Sequence, residues 1–190
     1  MEPVISSLEQ QRAAFARQRL LAMPAAGLLV WLLVGLAGLW LPARGAVWVL
    51  FIGTGSIVYL GLLLSQLTGE RLLARNRPRN EFDALFFRAM GSALLVWAIA
   101  IPFFRADYTS LPLTVGILTG LMWLPLGWII RHWVGVAHGV ARTVLVLAAW
   151  YAFPGQRFVA IPLLIAFLYA LTIAVLEHRW RRQLSAPAGA

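Results

Sequence analysis

The residues best suited to chemistry in this sequence are Arg142 and His138, which lie inside a long apolar run. They are four residues apart, so on a helix they share one face. A charge inside a membrane span usually faces the interior of the bundle and has a partner or a role there. Arg142 could clamp an anion, a lipid phosphate or an acidic metabolite, or it could be a structural tie. The sequence leaves both interpretations open.

Further candidate residues surround this run. Trp123 and Trp128 flank Pro125 in the preceding apolar run, where they could line a ligand pocket by stacking or cation–π contact, or simply pack. Ionisable side chains near the span ends are candidates for ion pairs or lipid headgroup contacts: Arg88, Asp83, Glu81, Glu70, Arg131, His132 and Glu177. Arg88 lies early in its run, so we expect its side chain to reach the headgroups.

The residues needed by most enzyme classes are absent. The chain has no cysteine, which excludes disulfides, thiolate catalysis and cysteine-bound metals. The histidines have neither the His-Glu-x-x-His spacing of zinc proteases nor the facing arrangement of a haem pair. No carboxylate lies at the centre of an apolar run, where ion-coupled transporters usually place one. We therefore predict no metal and no cofactor, assign no catalytic residue and favour a protein that is not an enzyme.

Six apolar runs of roughly 20 residues must position these side chains. Apolar residues make up 61% and charged residues 12% of the 190 residues, so the chain lacks the polar groups that cover a water-facing surface. The runs lie between Arg19 and Arg44, Arg44 and Glu70, Ala84 and Phe104, Asp107 and Arg131, Val136 and Pro154, and Arg157 and Glu177. This pattern predicts an all-α fold, a polytopic membrane bundle of six transmembrane helices.

A polar segment precedes the first run. Ser6-Ser7 followed by Glu9-Gln10 gives two overlapping capping boxes. Residues 1–20 are therefore predicted to form an amphipathic helix on the cytoplasmic membrane surface, although they could merely lead into the first span. Residues 21–182 are predicted as the six-helix transmembrane domain and residues 183–190 as a disordered cytoplasmic tail.

The arginines indicate the orientation, because cytoplasmic loops carry an excess of basic residues. If the N-terminus is inside, the outer loops hold only Arg44, Arg105 and Arg157. The inner segments then hold Arg12, Arg17, Arg19, Arg71, Arg75, Arg77, Arg79, Arg131, Arg179, Arg181 and Arg182. Both termini are therefore predicted to be cytoplasmic. The net charge of +9 lies in short clusters between apolar runs, so we expect no nucleic-acid partner.

Three short motifs resemble a bacterial family of small six-span inner-membrane proteins with no assigned function. They are Phe82-Asp83-x-Leu-Phe-Phe before the third span, Gly120-x-x-Trp123-x-x-x-Gly127 in the fourth, and Arg142-Thr143 in the fifth. The resemblance covers the chain from about Glu9 to Trp180. It implies a multi-pass protein of a bacterial inner membrane, which agrees with a chain whose basic residues are all arginine. It implies no activity for any residue.

Three functions are consistent with these residues. A small transporter or channel-like protein for an anionic or amphipathic solute predicts a water-accessible cavity that reaches Arg142. A non-catalytic protein that binds a lipid or a partner predicts a closed bundle with Arg142 in ion pairs. An intramembrane enzyme for a lipid-like substrate predicts that His138 and a carboxylate such as Asp83 or Glu70 share one pocket. The expected partners are the lipid bilayer, anionic lipid headgroups and a second copy of the chain.

Overall fold

The computed structural model describes residues 7–70, 72 and 80–185. Over these residues the chain is helical and has no strand, which confirms the predicted all-α fold. A short helix, α1 (Leu8–Ala16), precedes six longer ones. These are α2 (Ala22–Trp40), α3 (Ala43–Leu67), α4 (Glu81–Ala106), α5 (Tyr108–Ile129), α6 (Val134–Ala152) and α7 (Arg157–Ser185). Each of the six is long and apolar enough to cross a membrane, as a multi-pass membrane protein requires.

The centre of the bundle is formed by α2 and α7, which pack along each other, with α6 and α5 against α7. Small residues allow the backbones to approach closely. A Cβ atom added at Gly38 would lie 2.5 Å from the Phe158 carbonyl oxygen of α7. On the other side α3 packs along α2, while α4 packs on α5 and α1. The two least buried helices, α3 and α4, therefore lie at the edge of the bundle.

The fifth helix is not regular. It contains two 3₁₀ turns, Tyr108–Ser110 and Thr119–Met122. The second turn lies just before Pro125, which has no N–H to donate to the carbonyl four residues earlier. A regular α-helical segment ends at Leu118, and the Thr119 N–H bonds to the carbonyls of Val115 and Ile117 in its last turn. By contrast, α7 continues through Pro162 without interruption.

The predicted N-terminal helix is present and is held against the bundle. The Ser7 hydroxyl accepts a hydrogen bond from the Gln10 N–H, and the Gln10 side chain accepts one from the Ser7 N–H, which forms one of the two predicted capping boxes. The other box begins at Ser6, outside the described residues. Phe15 is buried, with its ring centroid 5.8 Å from that of Phe86 on α4.

The end of the bundle that carries α1 and the end of α7, here called the terminal face, holds most of the charged contacts. A carboxylate oxygen of Glu70 accepts hydrogen bonds from the N–H groups of Leu21 and Ala22 at 2.9 and 2.8 Å and thereby caps α2. Arginines 71, 75, 77 and 79 of the predicted inner loop lie outside the described residues, as do residues 186–190 of the predicted tail. The last helix reaches Ser185.

Candidate functional site

The sixth helix places His138 and Arg142 on one buried face. Arg142 is eight residues after Val134, which puts it about 12 Å along the helix at 1.5 Å per residue. Its exposed fraction is 0%, and that of His138 is 3%. A cation at this depth inside the bundle must find its acceptors among the surrounding helices, because water is excluded.

The Arg142 guanidinium is held by three oxygen atoms from two neighbouring helices. Its Nε donates to the Gly116 carbonyl at 2.6 Å, Nη2 to the Thr119 hydroxyl at 2.9 Å and Nη1 to the Tyr169 hydroxyl at 3.2 Å. Gly116 lies in the last turn before the 3₁₀ segment of α5. Its carbonyl accepts the shortest of these hydrogen bonds.

Two aromatic rings complete the surroundings of Arg142. The guanidinium carbon lies 5.3 Å from the Trp31 ring centroid and 5.4 Å from that of Tyr169, within the range of cation–π attraction. No carboxylate lies within ion-pair distance of Arg142 in the described part of the chain. The predicted ion pair is therefore replaced by neutral acceptors and ring faces. The arrangement ties α2, α5, α6 and α7 together at one point.

His138 extends the cluster by one helical turn. Its Nδ1 lies 2.7 Å from the Thr172 hydroxyl. Its ring stacks on Trp123 with centroids 4.2 Å apart and tilts against Tyr169 at 5.1 Å. The sequence-predicted residues Arg142, His138 and Trp123 thus come together, whereas Trp128 is 67% exposed and lies near Phe82 instead. We call the six side chains Trp31, Thr119, Trp123, His138, Arg142 and Tyr169 the core cluster.

Two glycines make room for the core cluster. A Cβ atom added at Gly120 would lie 2.7 Å from Cδ of Arg142, and one added at Gly27 would lie 2.5 Å from the Tyr169 ring. Both distances are shorter than van der Waals contact. The glycines let α5 and α2 approach these large side chains.

Replacing Gly27 by alanine should therefore destabilise the protein. We expect Gly27→Ala to lower the free energy of unfolding by about 1–3 kcal/mol, the usual effect of overpacking, because the new methyl group displaces the Tyr169 ring. Thermal unfolding in detergent, followed by tryptophan fluorescence, measures this. Gly55→Ala is the matched control, since a Cβ there meets no atom within 4 Å. Equal stability of the two variants would contradict the close packing.

An apolar cleft adjoins the core cluster. It lies between α3 and α4, and Thr119, Trp123 and Tyr169 contribute to its inner wall. Its remaining lining includes Leu20, Met23, Pro24, Thr54, Gly55, Ile57, Val58, Glu70, Leu72, Phe86, Met90, Ala93, Leu94, Trp97, Val115, Met122 and Leu126. Its volume is about 110 Å³, similar to apolar cavities of about 150 Å³ that hold one benzene ring. Such a cleft has room for a short stretch of a slender apolar chain.

One end of the cleft is closed by aromatic side chains. Phe51 of α3 stacks on Trp97 of α4 with ring centroids 4.8 Å apart and meets Phe104 edge-on at 5.5 Å. Because α3 and α4 otherwise pack on different partners, these rings join the two helices. Below them, towards the terminal face, the two helices stand apart.

The acidic candidates lie at the terminal face, away from Arg142 and His138. Asp83 accepts a hydrogen bond from the Gln18 side chain at 3.1 Å. Both oxygens of Glu177 meet Arg19, at 2.9 and 3.0 Å, and Arg181 adds a third contact. The backbone N–H of Glu81 donates a hydrogen bond to the Gln11 side-chain oxygen, and the Glu81 residue is exposed. The hydrogen-bond partner of the His138 Nδ1 is the Thr172 hydroxyl and not a carboxylate.

The basic candidates also lie near this face. Arg131 lies 3.3 Å from Glu9, which Arg12 contacts as well. The hydrogen bond from Arg12 lowers the pKa of the Glu9 carboxyl from its ordinary value, and the Arg131 charge contributes. His132 accepts a hydrogen bond from the Val134 N–H, and burial lowers its pKa. Arg88 is exposed on α4.

Sequence reasoning missed four residues that contact Arg142 or His138: Trp31, Thr119, Tyr169 and Thr172. None is ionised at neutral pH, and each resembles an ordinary packing residue of a membrane helix. Tyr169 and Thr172 are three residues apart on one face of α7, and this is the signal that could have marked a polar stripe facing Arg142.

The comparisons with known proteins give a family and no activity. No curated protein and no solved structure matches the chain. A family profile covers most of the sequence and fits the resemblance to small polytopic proteins without an assigned function. The match extends over residues 8–179, and the chain belongs to DUF7010, a family of unknown function.

Proposed function

We propose that this protein is a non-catalytic multi-pass membrane protein that holds the acyl chain of one amphiphilic molecule in the cleft between α3 and α4. The observation that carries the proposal is the cleft itself, which is apolar and lies between the two least buried helices. A cleft at the edge of the bundle is reached from the bilayer, where acyl chains are the abundant apolar ligands.

The core cluster supports this function as a rigid wall. Arg142 has no exposed surface and three oxygen partners, so its charge is already compensated by neutral groups inside the bundle. A ligand in the cleft would contact Thr119, Trp123 and Tyr169. The hydrogen bonds to Arg142 hold two of these side chains in place and keep water out of the back of the cleft.

The transport alternative requires a water path to Arg142. In this structure such a path would have to part Thr119 and Tyr169, which cover the guanidinium. The observation in its favour is that both residues also face the cleft, so an amphiphile with an anionic group could reach Arg142 if the two side chains moved apart.

The cellular setting is part of the proposal. Six spanning helices with arginine-rich segments on one side suit a bacterial inner membrane with both termini cytoplasmic. The terminal face would then lie in the cytoplasm, and α1 would rest on the inner membrane surface. Self-association through the exposed apolar faces is a further expectation.

The proposal is tested by gentle extraction followed by native mass spectrometry. We expect wild-type protein to retain one amphiphile per chain after detergent washing, because a chain in the cleft is shielded on most sides. Its mass identifies the ligand. Protein that carries no retained amphiphile and takes up none from added fatty acid or phospholipid would overturn the proposal.

The aromatic closure should control how fast this ligand exchanges. We expect Phe51→Ala to speed exchange of the bound amphiphile for an isotopically labelled one by about threefold to tenfold, because a ring pair contributes about 0.5–1.5 kcal/mol. The exchange rate is followed by native mass spectrometry. Phe167→Ala, at an exposed phenylalanine of α7, is the control and should leave the rate unchanged. Equal rates in both variants would show that the ring contact does not close the cleft.

A further inference from the structure

A second groove lies at the terminal face between the start of α6 and the end of α7. Its lining combines basic, aromatic and apolar side chains and contains no carboxylate: His132, Trp133, Ala174, Val175, His178, Arg179, Arg182 and Gln183. Its lining shares no residue with that of the cleft between α3 and α4.

The groove has unused hydrogen-bond donors. Arg179 donates through Nη2 to the Ala16 carbonyl, while its Nη1 is buried without a hydrogen-bond partner in the described part of the chain. His132 accepts the Val134 N–H at Nδ1, so its neutral ring carries the proton on Nε2 as a further donor. A buried donor without an acceptor is costly, and an anion in the groove would remove that cost.

The neighbouring acidic residue does not neutralise the groove. Glu177 is held by Arg19 through two hydrogen bonds and by Arg181 through a third. The charges of Arg179 and Arg182 therefore remain available to an external anion. Guanidinium groups bind phosphate oxygens particularly well, since their planar forks can form paired charged hydrogen bonds.

The position of the groove favours a lipid over a soluble anion. Trp133 is 63% exposed beside it, as expected of a residue in the aromatic belt at the membrane interface. Ala174 and Val175 continue the lining towards the membrane interior. Basic pockets between helix ends at this level bind anionic headgroups. We propose that this groove binds the phosphate of an anionic phospholipid, with Arg179 and Arg182 on the phosphate and the acyl chains along α6 and α7.

Native mass spectrometry of the detergent-solubilised full chain tests this proposal with dioleoyl phosphatidylglycerol as the probe and dioleoyl phosphatidylcholine for comparison. We expect a phosphatidylglycerol adduct that Arg182→Gln weakens about fivefold, the usual contribution of one arginine near a membrane surface. Arg182 is exposed, so the variant should fold. Arg88→Gln is the matched control, because it removes the same charge at an exposed arginine of α4 that lies outside the groove.

Three results would overturn the assignment. Equal weakening by Arg88→Gln would mean that only the overall charge matters. Equal binding of phosphatidylcholine would mean that the headgroup charge is not recognised. Excess inorganic phosphate is also added to the wild-type protein. If it lowers the phosphatidylglycerol adduct as much as Arg182→Gln does, the groove is assigned to a free phosphate. Because the cleft between α3 and α4 could also hold either lipid, all adducts are compared in a Gly55→Trp background, in which an indole fills that cleft.

Discussion

Arg142→Ala should be among the most destabilising single substitutions in this protein, with a loss of about 3–5 kcal/mol in the free energy of unfolding from the unpaired acceptors and the cavity it leaves. The substitution leaves the Gly116 carbonyl and the Thr119 and Tyr169 hydroxyls without their donor inside an apolar bundle. It also leaves a cavity where four helices meet. For a chain of this length we expect the melting temperature in detergent to fall by about 10 °C or more.

Two further variants separate the effect of the hydrogen bonds made by the Arg142 guanidinium from the effect of its charge alone. Arg88→Ala removes an exposed arginine of α4 and should change stability by less than about 0.5 kcal/mol. Arg142→Lys keeps the charge but cannot reach all three oxygens, so it should be intermediate. Arg142→Ala with a melting temperature equal to wild type would contradict the structural role of this residue, and a water-lined or ligand-filled position would have to be considered in its place.

The second large effect is expected from filling the cleft. A Cβ atom added at Gly55 meets no other atom within 4 Å, and Gly55 lines the cleft. Gly55→Trp should place an indole in the space that the acyl chain occupies. We expect the fraction of protein that retains an amphiphile to fall at least about tenfold, equivalent to about 1.4 kcal/mol. Native mass spectrometry of the extracted protein gives this fraction.

The chain offers a close control for this experiment. Gly91 is likewise exposed on a spanning helix, and a Cβ atom there also meets nothing within 4 Å, but Gly91 does not line the cleft. Gly91→Trp should leave retention unchanged. Similar losses in both variants would point to a general effect of tryptophan on extraction, and no loss in either would place the ligand elsewhere.

The fold could be predicted from the sequence because membrane spans are set by length and hydrophobicity alone. The six apolar runs correspond to α2 through α7, and the capping box at Ser7 begins α1. The distortion of α5 lies in the turn before Pro125. These features depend only on local composition, which can be read directly from a single sequence.

The site could be predicted only in part because it depends on which helices meet. The pattern at His138 and Arg142 marked the correct face of α6, and Trp123 joined them. Trp128 did not, because it faces away from the bundle. That the partners of Arg142 are a carbonyl and hydroxyls rather than carboxylates follows from the crossing of α5 and α7, which no local pattern encodes.

The cleft had no sequence signal at all. It exists because α3 packs on α2 while α4 packs on α5, which leaves a gap that Phe51 and Trp97 close at one end. Its lining residues are ordinary residues of membrane helices, and only their arrangement distinguishes them.

The central claim is that the cleft is open to lipid and closed to water, and cysteine accessibility tests it most directly. The chain has no cysteine, so Val58→Cys in the cleft is a unique label site, and Ser185→Cys at the terminal face is the exposed reference. We expect a charged, water-soluble methanethiosulfonate to label Ser185→Cys and leave Val58→Cys unmodified in the membrane, because a thiol in apolar surroundings stays protonated; both cysteines should react once the protein is unfolded in dodecyl sulfate. Rapid labelling of Val58→Cys by the charged reagent would contradict the account and indicate a water-filled path.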